Sequence, residues 1–341
     1  LSLHDALPIS NGRVFMDYEV IDCIDAGTEF CPCHLAEEGE CLLCSQLHGK
    51  CFCDCVNWKG VCIYEEFASN GFKAKEGRKT FTCDVIDAVE VEEGLLFIEF
   101  RAPHKLCIDL LGPGKFIFIR TNDNPFFDVP ISILESDADK NIIKVLIEVR
   151  GIKTKRLLNT EVKGEITIRG PYFNGVFGIK NIDSTKNGEV LVLCRGIGLA
   201  PAVPVIKKLA NEGNKVKILL DKAPFKESYI EKYLEGYDIQ YVPMNLINKG
   251  EISNEAKEVI KNGQWDLIHC AGADILTYKL IEYLNDLKDE STKVSCCNNA
   301  KMCCGEGVCG SCTARFAGHK VKRLCKVQSD PRKIFEDRRF I

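Results

Sequence analysis

Apolar residues change their spacing twice along the chain, and those changes divide it. Between residues 80 and 169 they fall in short β-rich runs, at 80–91, 95–101, 115–120, 131–134, 142–149 and 165–169. Gly, Pro, Asn and Asp separate the runs, and no helical period is present. Evenly spaced short strands of this kind predict a small antiparallel barrel. From residue 189 onward, continuous apolar runs alternate with helical spacing. Strands are predicted at 189–194, 215–220, 239–242 and 265–270. The first runs into Gly196-Ile197-Gly198-Leu199-Ala200-Pro201 and a helix carrying Val205, Ile206, Leu209 and Ala210, closed by Gly213. Ser253 caps a second helix that ends at Gly263. A third starts at Asp274 and places Leu276, Leu280, Ile281, Leu284 and Leu287 on one side. Strands and helices in this alternation predict a doubly wound parallel sheet, so the fold class is α/β plus β-barrel.

Both flanks of that pattern are dominated by cysteine. Near the C-terminus, Cys304, Cys309, Cys312 and Cys325 are spaced C-x4-C-x2-C-x12-C, with Gly305, Gly307 and Gly310 between them. Four thiolates around a glycine-rich loop are the ligand set of a plant-type [2Fe–2S] cluster. A loop wrapping a cluster needs positive φ and backbone N–H groups turned toward sulfur, which residues without Cβ supply at least cost. A four-cysteine zinc site is the competing reading, although zinc ribbons pair two C-x2-C knuckles and lack the glycine-rich gap. At the other end, nine cysteines fall between Cys23 and Cys62. Cys31-x-Cys33, Cys41-x2-Cys44 and Cys51-x-Cys53-x-Cys55, with Cys62, are spaced to chelate. So few large apolar residues accompany them that metal binding must contribute the folding free energy. Either an iron–sulfur centre or zinc suits these donors. His34 and His48 lie nearby and read as solvent-facing.

Composition narrows the function. The chain has 341 residues, enough for several cores, and a formal net charge of -4 with its lysines dispersed, which argues against a nucleic-acid partner. No apolar run is long enough for a bilayer span, and no basic region with an apolar core opens the chain as in a signal peptide. Residues 1–10 are set aside. Twenty cysteines without a secretory signal then read as metal ligands in a reducing cytoplasm.

Taken in order, the motifs from Thr80 to Cys325 resemble the ferredoxin–NADP reductase superfamily. The nearest types are the dihydroorotate dehydrogenase electron-transfer subunits and the small subunits of NADH-dependent ferredoxin:NADP oxidoreductases. Pro130-Ile131-Ser132-Ile133 matches the family's R-P-x-S-I flavin loop, whose serine lies near the reactive flavin nitrogen; Val129 replaces its arginine. Gly151 and Thr154 match its G-x-G-T phosphate loop, with Lys153 in place of the second glycine. Gly170, Pro171 and Gly175 match the turn that packs near the flavin. Gly196, Gly198 and Pro201 match the nicotinamide-nucleotide loop, where Arg195 stands for a glycine, and Cys270-Ala271-Gly272 is similar to the C-G-P turn beside the nicotinamide.

The resemblance implies three parts: an FAD-binding β-barrel at 76–182, an NAD(P)-binding domain at 183–290 and a [2Fe–2S] module at 291–341; the cysteines ahead of them add a Cys-rich metal-binding module at 11–75. It implies FAD, NAD(P)H and a [2Fe–2S] cluster as cofactors. Ser132 is the residue placed at the reacting flavin, and the partner is a catalytic flavoprotein or ferredoxin-type subunit in a hetero-oligomer. Asp221, ending the second parallel strand, suits a ribose hydroxyl, and Lys222 suits a 2′-phosphate. A relay or assembly subunit that no longer binds NAD(P)H is the alternative, favoured by Arg195 and Lys153.

Overall fold

The computed structural model describes residues 22–53, 58–122, 128–316, 320–336 and 338. The N-terminal segment has little regular structure: strand β1 (Asp22–Cys23) and helices α1 (His34–Glu37) and α2 (Ile63–Ser69). Its own buried core is three residues, Ala36, Leu47 and Phe67. That is far too little apolar area to order some forty residues alone.

The next seven strands are β2 (Lys79–Glu92), β3 (Leu95–Arg101), β4 (Phe116–Thr121), β5 (Val129–Ser132), β6 (Glu135–Asp137), β7 (Ile142–Glu148) and β8 (Glu165–Tyr172). They form one antiparallel sheet in the order β5-β4-β8-β2-β3-β7-β6. The sheet curls around a single apolar core that includes Val85, Ile98, Phe100, Ile117, Ile119, Val145, Ile166 and Ile168. It is a half-barrel, consistent with the antiparallel barrel expected from the strand spacing. β5 and β6 lie at opposite edges of the order with only residues 133 and 134 between them. These two residues stitch the gap: Ile133 N–H donates to Lys115 O at 3.1 Å and Leu134 N–H to Lys144 O at 3.0 Å. A two-residue crossing leaves no length for a ladder, so closure is a pair of bonds. Helix α3 (His104–Asp109) lies between β3 and β4, and helix α4 (Ile152–Leu157) lies between β7 and β8.

A second sheet holds β9 (Val176–Phe177), β10 (Glu189–Arg195), β11 (Lys215–Asp221), β12 (Ile239–Pro243), β15 (Leu267–Ala271) and β16 (Lys293–Cys297), in the order β12-β11-β10-β15-β16-β9. The hairpin β13 (Ile247–Asn248) and β14 (Glu251–Ile252) stands apart from it. All its pairings are parallel except that of the edge strand β9. Its central strands are apolar on both faces, as a parallel sheet covered by helices requires. Val190, Val192 and Cys194 of β10 pack with helix α6 (Leu199–Asn211). Leu191 and Leu193 pack on the other side with helices α7 (Asn254–Asn262) and α8 (Asp274–Asp286). Ala256 N–H donates to Ser253 Oγ at 3.3 Å, the cap expected from the sequence. Helix α5 (Ile179–Asp183) follows β9. Strand β16 lies past residue 290, so the parallel sheet continues beyond the boundary expected there.

The C-terminal piece has the hairpin β17 (Thr313–Arg315) and β18 (Val321–Arg323), strand β19 (Val327–Gln328) and helix α9 (Pro331–Phe335). Its buried residues Cys312, Ala314, Leu324, Cys325 and Val327 share the core beneath α7 and α8. β19 pairs with β1, which brings the N-terminal segment beside the C-terminal piece. No helix among the described residues is long and apolar enough to cross a membrane.

Candidate functional site

A cleft of about 490 Å³ opens between the two sheets. One wall comes from the half-barrel: Val129, Pro130, Ile131 and Ser132 on β5, and Arg150 and Thr154 after β7. The other wall comes from the carboxyl ends of β10, β11, β15 and β16, where open α/β sheets bind their ligands. The turn at Gly196–Gly198, Pro201 at the start of α6, and Gly272 line it. Gly175 closes one end. Nine of the thirteen residues expected at the cofactors therefore surround one space: Pro130, Ile131, Ser132, Thr154, Gly175, Gly196, Gly198, Pro201 and Gly272.

The local geometry explains why glycines stand at the turn. Gly196 has φ +57, and a Cβ at Gly198 would overlap the backbone at Ala271 and Gly272. The two turns thus touch backbone to backbone, an approach closed to any larger residue. Arg195 adds a lock: its Nε donates to Asp221 Oδ2 at 2.9 Å. Asp221 Oδ2 also accepts from Leu246 N–H at 3.0 Å, and Oδ1 from Ala223 N–H at 3.1 Å. The carboxylate expected to meet a ribose is thus already engaged, and Lys222 pairs with Glu227 at 3.0 Å.

The other four expected residues lie elsewhere. Gly151 precedes α4, and Thr154 Oγ1 accepts from its N–H at 3.1 Å and from Arg150 N–H at 3.0 Å. Lys153 is not among the cleft-lining residues and donates to Asp128 O at 3.2 Å, next to Val129. Gly170 and Pro171 end β8 below the cysteine loop: a Cβ at Gly170 would stand 3.0 Å from Ile117 Cγ2, and Pro171 O accepts from Arg78 Nε at 2.9 Å.

Several lining residues escaped the sequence reading. Arg150 lines the cleft with its Nε paired to Glu148 Oε1 at 2.6 Å, its signal being only its place before Gly151. Cys297, Asn298 and Asn299 follow β16. Burial pushes the Cys297 thiol up to about 12. Asn299 Nδ2 donates to Gly272 O at 2.8 Å, and Asn298 Nδ2 donates to Asn174 O at 2.7 Å and to Leu324 O at 2.8 Å. Asn298 thus connects the cleft wall to the residue before Cys325.

The C-terminal cysteine loop rests on aromatic rings from the half-barrel. Phe116 stacks on Tyr172 at 5.1 Å between centroids, and Phe118 meets Tyr172 edge-on at 5.0 Å. Tyr172 Oη and Arg169 Nη1 both donate to Cys304 O, at 3.2 and 3.1 Å. Gly305, Gly307 and Gly310 have φ of +71, +83 and +72. Glu306 N–H points at Cys304 Sγ from 3.2 Å. Cys312 and Cys325 are buried and hydrogen-bonded to each other, which lowers the Cys312 thiol and raises that of Cys325. Cys309 is exposed. Among the described residues, no three His, Cys, Asp or Glu side chains stand in a metal-holding arrangement.

The N-terminal cysteines separate into two groups. Cys23, Cys31, Cys33 and Cys41 line one small hollow, and Cys44, Cys53 and Cys62 line another. Burial pushes the Cys31 thiol up to about 11 and raises Cys23 and Cys41 as well. Cys51 is exposed, and Cys55 lies outside the described residues. His34 is exposed, with Nδ1 bonded to Glu37 Oε2 at 2.9 Å.

A buried ion network lies between the N-terminal segment and the C-terminal loop. Arg78 Nη2 donates to Asp25 Oδ1 at 2.5 Å and Nη1 to Glu306 Oε2 at 2.7 Å. Lys326 Nζ joins Glu306 Oε2 at 3.0 Å and also contacts Asp25. Burial alone would raise the Asp25 carboxyl, but Lys326 and Arg78 outweigh it and hold it below the usual carboxylate range.

No protein-family model matches the chain. It is similar to the dihydroorotate dehydrogenase B (NAD(+)) electron transfer subunit of Clostridium acetobutylicum, 28% identical over 243 residues, which are 71% of this chain and 91% of that one. It is 30% identical over 219 residues to the probable subunit of the same kind from Pyrococcus abyssi, covering 62% of this chain and 76% of that one. Among solved structures it is like that of an NADH-dependent reduced ferredoxin-NADP oxidoreductase, with a TM-score of 0.57 and 18% identity over 73% of this chain and 86% of that one. The likeness to the solved structure is one of fold.

Proposed function

The chain belongs to the family of dihydroorotate dehydrogenase B electron transfer subunits, and on that premise we propose that it moves electrons between NAD(P)H and a catalytic partner subunit by way of FAD and a [2Fe–2S] cluster. When bound, FAD exchanges a hydride with the nicotinamide and gives up electrons singly, and the cluster carries one. The chain's part is placement. Ser132 presents its hydroxyl from the edge of β5 at the cleft, where it would orient the flavin ring. Thr154 and Arg150 would meet the flavin phosphates, Arg150 standing in for the cation missing at Val129. Gly196 and Gly198 line the cleft without a side chain at the start of α6, where the backbone would seat a pyrophosphate.

At the loop, the donor chemistry fits a cluster. The four thiols are Cys304, Cys309, Cys312 and Cys325, one already accepts a backbone N–H, and three intervening glycines hold positive φ. Tyr172 and Arg169 would anchor the loop through Cys304 O, and the aromatic platform would keep water from its inner face. The reading rests most on one link: Asn298 lines the cleft and donates to Leu324 O, next to Cys325. Cleft and loop are therefore neighbours, as one-electron exchange between them requires.

The Arg195–Asp221 pair favours a second reading, a relay subunit whose cleft does not take the nicotinamide nucleotide. One experiment separates the two. Anaerobic addition of NADH, and separately NADPH, is expected to bleach both flavin and cluster absorbance of the purified chain. Bleaching by dithionite but by neither nucleotide would establish the relay. A chain purified without oxygen that carries no flavin overturns both.

A further inference from the structure

We propose that Cys23, Cys31, Cys33 and Cys41 ligate a second iron–sulfur centre, packed directly against the C-terminal cysteine loop. The inference deepens the electron-transfer reading and rests on it. Its first support is convergence. The four cysteines line one hollow of about 20 Å³ although they come from β1, the loop after it, the start of α1 and the turn beyond α1; no three of them stand in a metal-holding arrangement among the described residues, so ligation would draw their thiols inward. None is in a disulfide. The segment's core of Ala36, Leu47 and Phe67 cannot order these loops by burial alone, and a thiolate-bound metal would add folding free energy to the strand pairing and ion network that tie the segment down. The spacing is C-x7-C-x-C-x7-C, and Cys23, which no short chelating pair includes, is brought in by the pairing of β1 with β19.

Position argues for an electron carrier over a structural ion. Cys23 lies opposite Val327, two residues past Cys325, and Ile24 N–H donates to Lys326 O at 2.9 Å. Leu35 lines the hollow and also abuts the other loop: a Cβ on Gly307 would stand 3.0 Å from Leu35 Cδ1. Asp25, on the wall of the same hollow, is tied through Arg78 and Lys326 to Glu306 inside the C-terminal loop. The hollow and the C-terminal loop thus share one buried charge network, and Leu35 lines the one while abutting the other. A structural zinc needs no such neighbour. A one-electron carrier does, because tunnelling falls steeply with distance. The exchange is simple: one site loses an electron as the other gains it, with no bond made and no proton moved.

The test uses the full chain purified without oxygen, assayed for iron, acid-labile sulfide, zinc and FAD, with low-temperature electron paramagnetic resonance after dithionite reduction. Wild type is expected to hold more than the roughly two irons of a [2Fe–2S] cluster and to give two signals. Cys309→Ala is expected to lose one signal and keep the remaining iron and sulfide, and Cys31→Ser with Cys33→Ser to lose the other. Iron that disappears entirely in Cys309→Ala, or zinc in place of the additional iron, overturns the inference and leaves the electron-transfer reading standing. Wild type with flavin but no iron overturns both. The Cys309→Ala result does not depend on whether the N-terminal double variant folds.

Discussion

His269 sits on β15 in the centre of the parallel sheet, fully buried. Its Nδ1 bonds to Ser295 Oγ on β16 at 2.9 Å, and its Nε2 meets no partner among the described residues. Burial pushes the imidazole down to about 3. In the unfolded chain it would titrate near about 6.5. Between those values the unfolded state binds a proton that the folded state refuses, so stability falls as pH drops below about 6.5 and keeps falling toward 3. Removing the histidine together with its partner, as His269→Leu with Ser295→Ala, avoids stranding a hydroxyl. The double variant is expected to lose up to one proton's worth of that acid-side slope. Denaturant midpoints from about pH 7 to about pH 5 measure it, and an unchanged slope would show that His269 is not the group responsible. Nothing in the local sequence announces this residue. A histidine inside an apolar run looks the same whether its neighbour strand offers a hydroxyl or not.

Elements announced themselves where a side chain marks their ends. Ser253 and Gly263 bracket α7, and Asp274 starts α8, close to where apolar spacing and capping place them. Helix α4 was hidden because its N-cap is Gly151, which has no side chain to read; Thr154 does the capping from inside the helix. Strand β16 was not predicted: Cys296 and Cys297 read only as small core or loop residues, and both are buried strand residues. The cysteine loop was legible in its spacing, but not the reason for each glycine, which lies in what the loop touches. A Cβ at Gly305 would overlap the Tyr172 ring at φ +71, whereas one at Gly310, φ +72, would find only Thr313 Oγ1 at 3.8 Å. Gly310→Ala should therefore cost only the left-handed backbone, about 1–2 kcal/mol. Gly305→Ala adds overpacking of about 1–3 kcal/mol. Urea unfolding of the two variants decides the point; equal losses would mean that the ring yields freely and the contact is unimportant.

At the scale of the whole molecule, the order of motifs gave away the two sheets and the cleft between them, because each is built from neighbouring segments. The joint that unites the N-terminal segment with the C-terminal piece was invisible, since its four charges, Asp25, Arg78, Glu306 and Lys326, span nearly the whole sequence. Arg78 is the hub. It stands one residue before β2, is buried, lies 4.1 Å from the Phe30 ring centroid, and bonds to the N-terminal segment, the half-barrel and the cysteine loop. Two cations and two carboxylates balance there, so desolvation is offset only while all four are present. Arg78→Met strips one cation and is expected to cost about 3–5 kcal/mol, the penalty for leaving a buried charge uncompensated. Arg78→Met combined with Asp25→Leu restores the balance around Lys326 and Glu306, and should recover part of that loss despite removing more bonds. Urea unfolding, read alongside limited proteolysis of residues 22–75, distinguishes a charge-balanced joint from a simple sum of contacts. If the double variant is less stable than Arg78→Met alone, the four groups act as independent bonds, and the N-terminal segment is held to the C-terminal piece by something other than their mutual neutralisation.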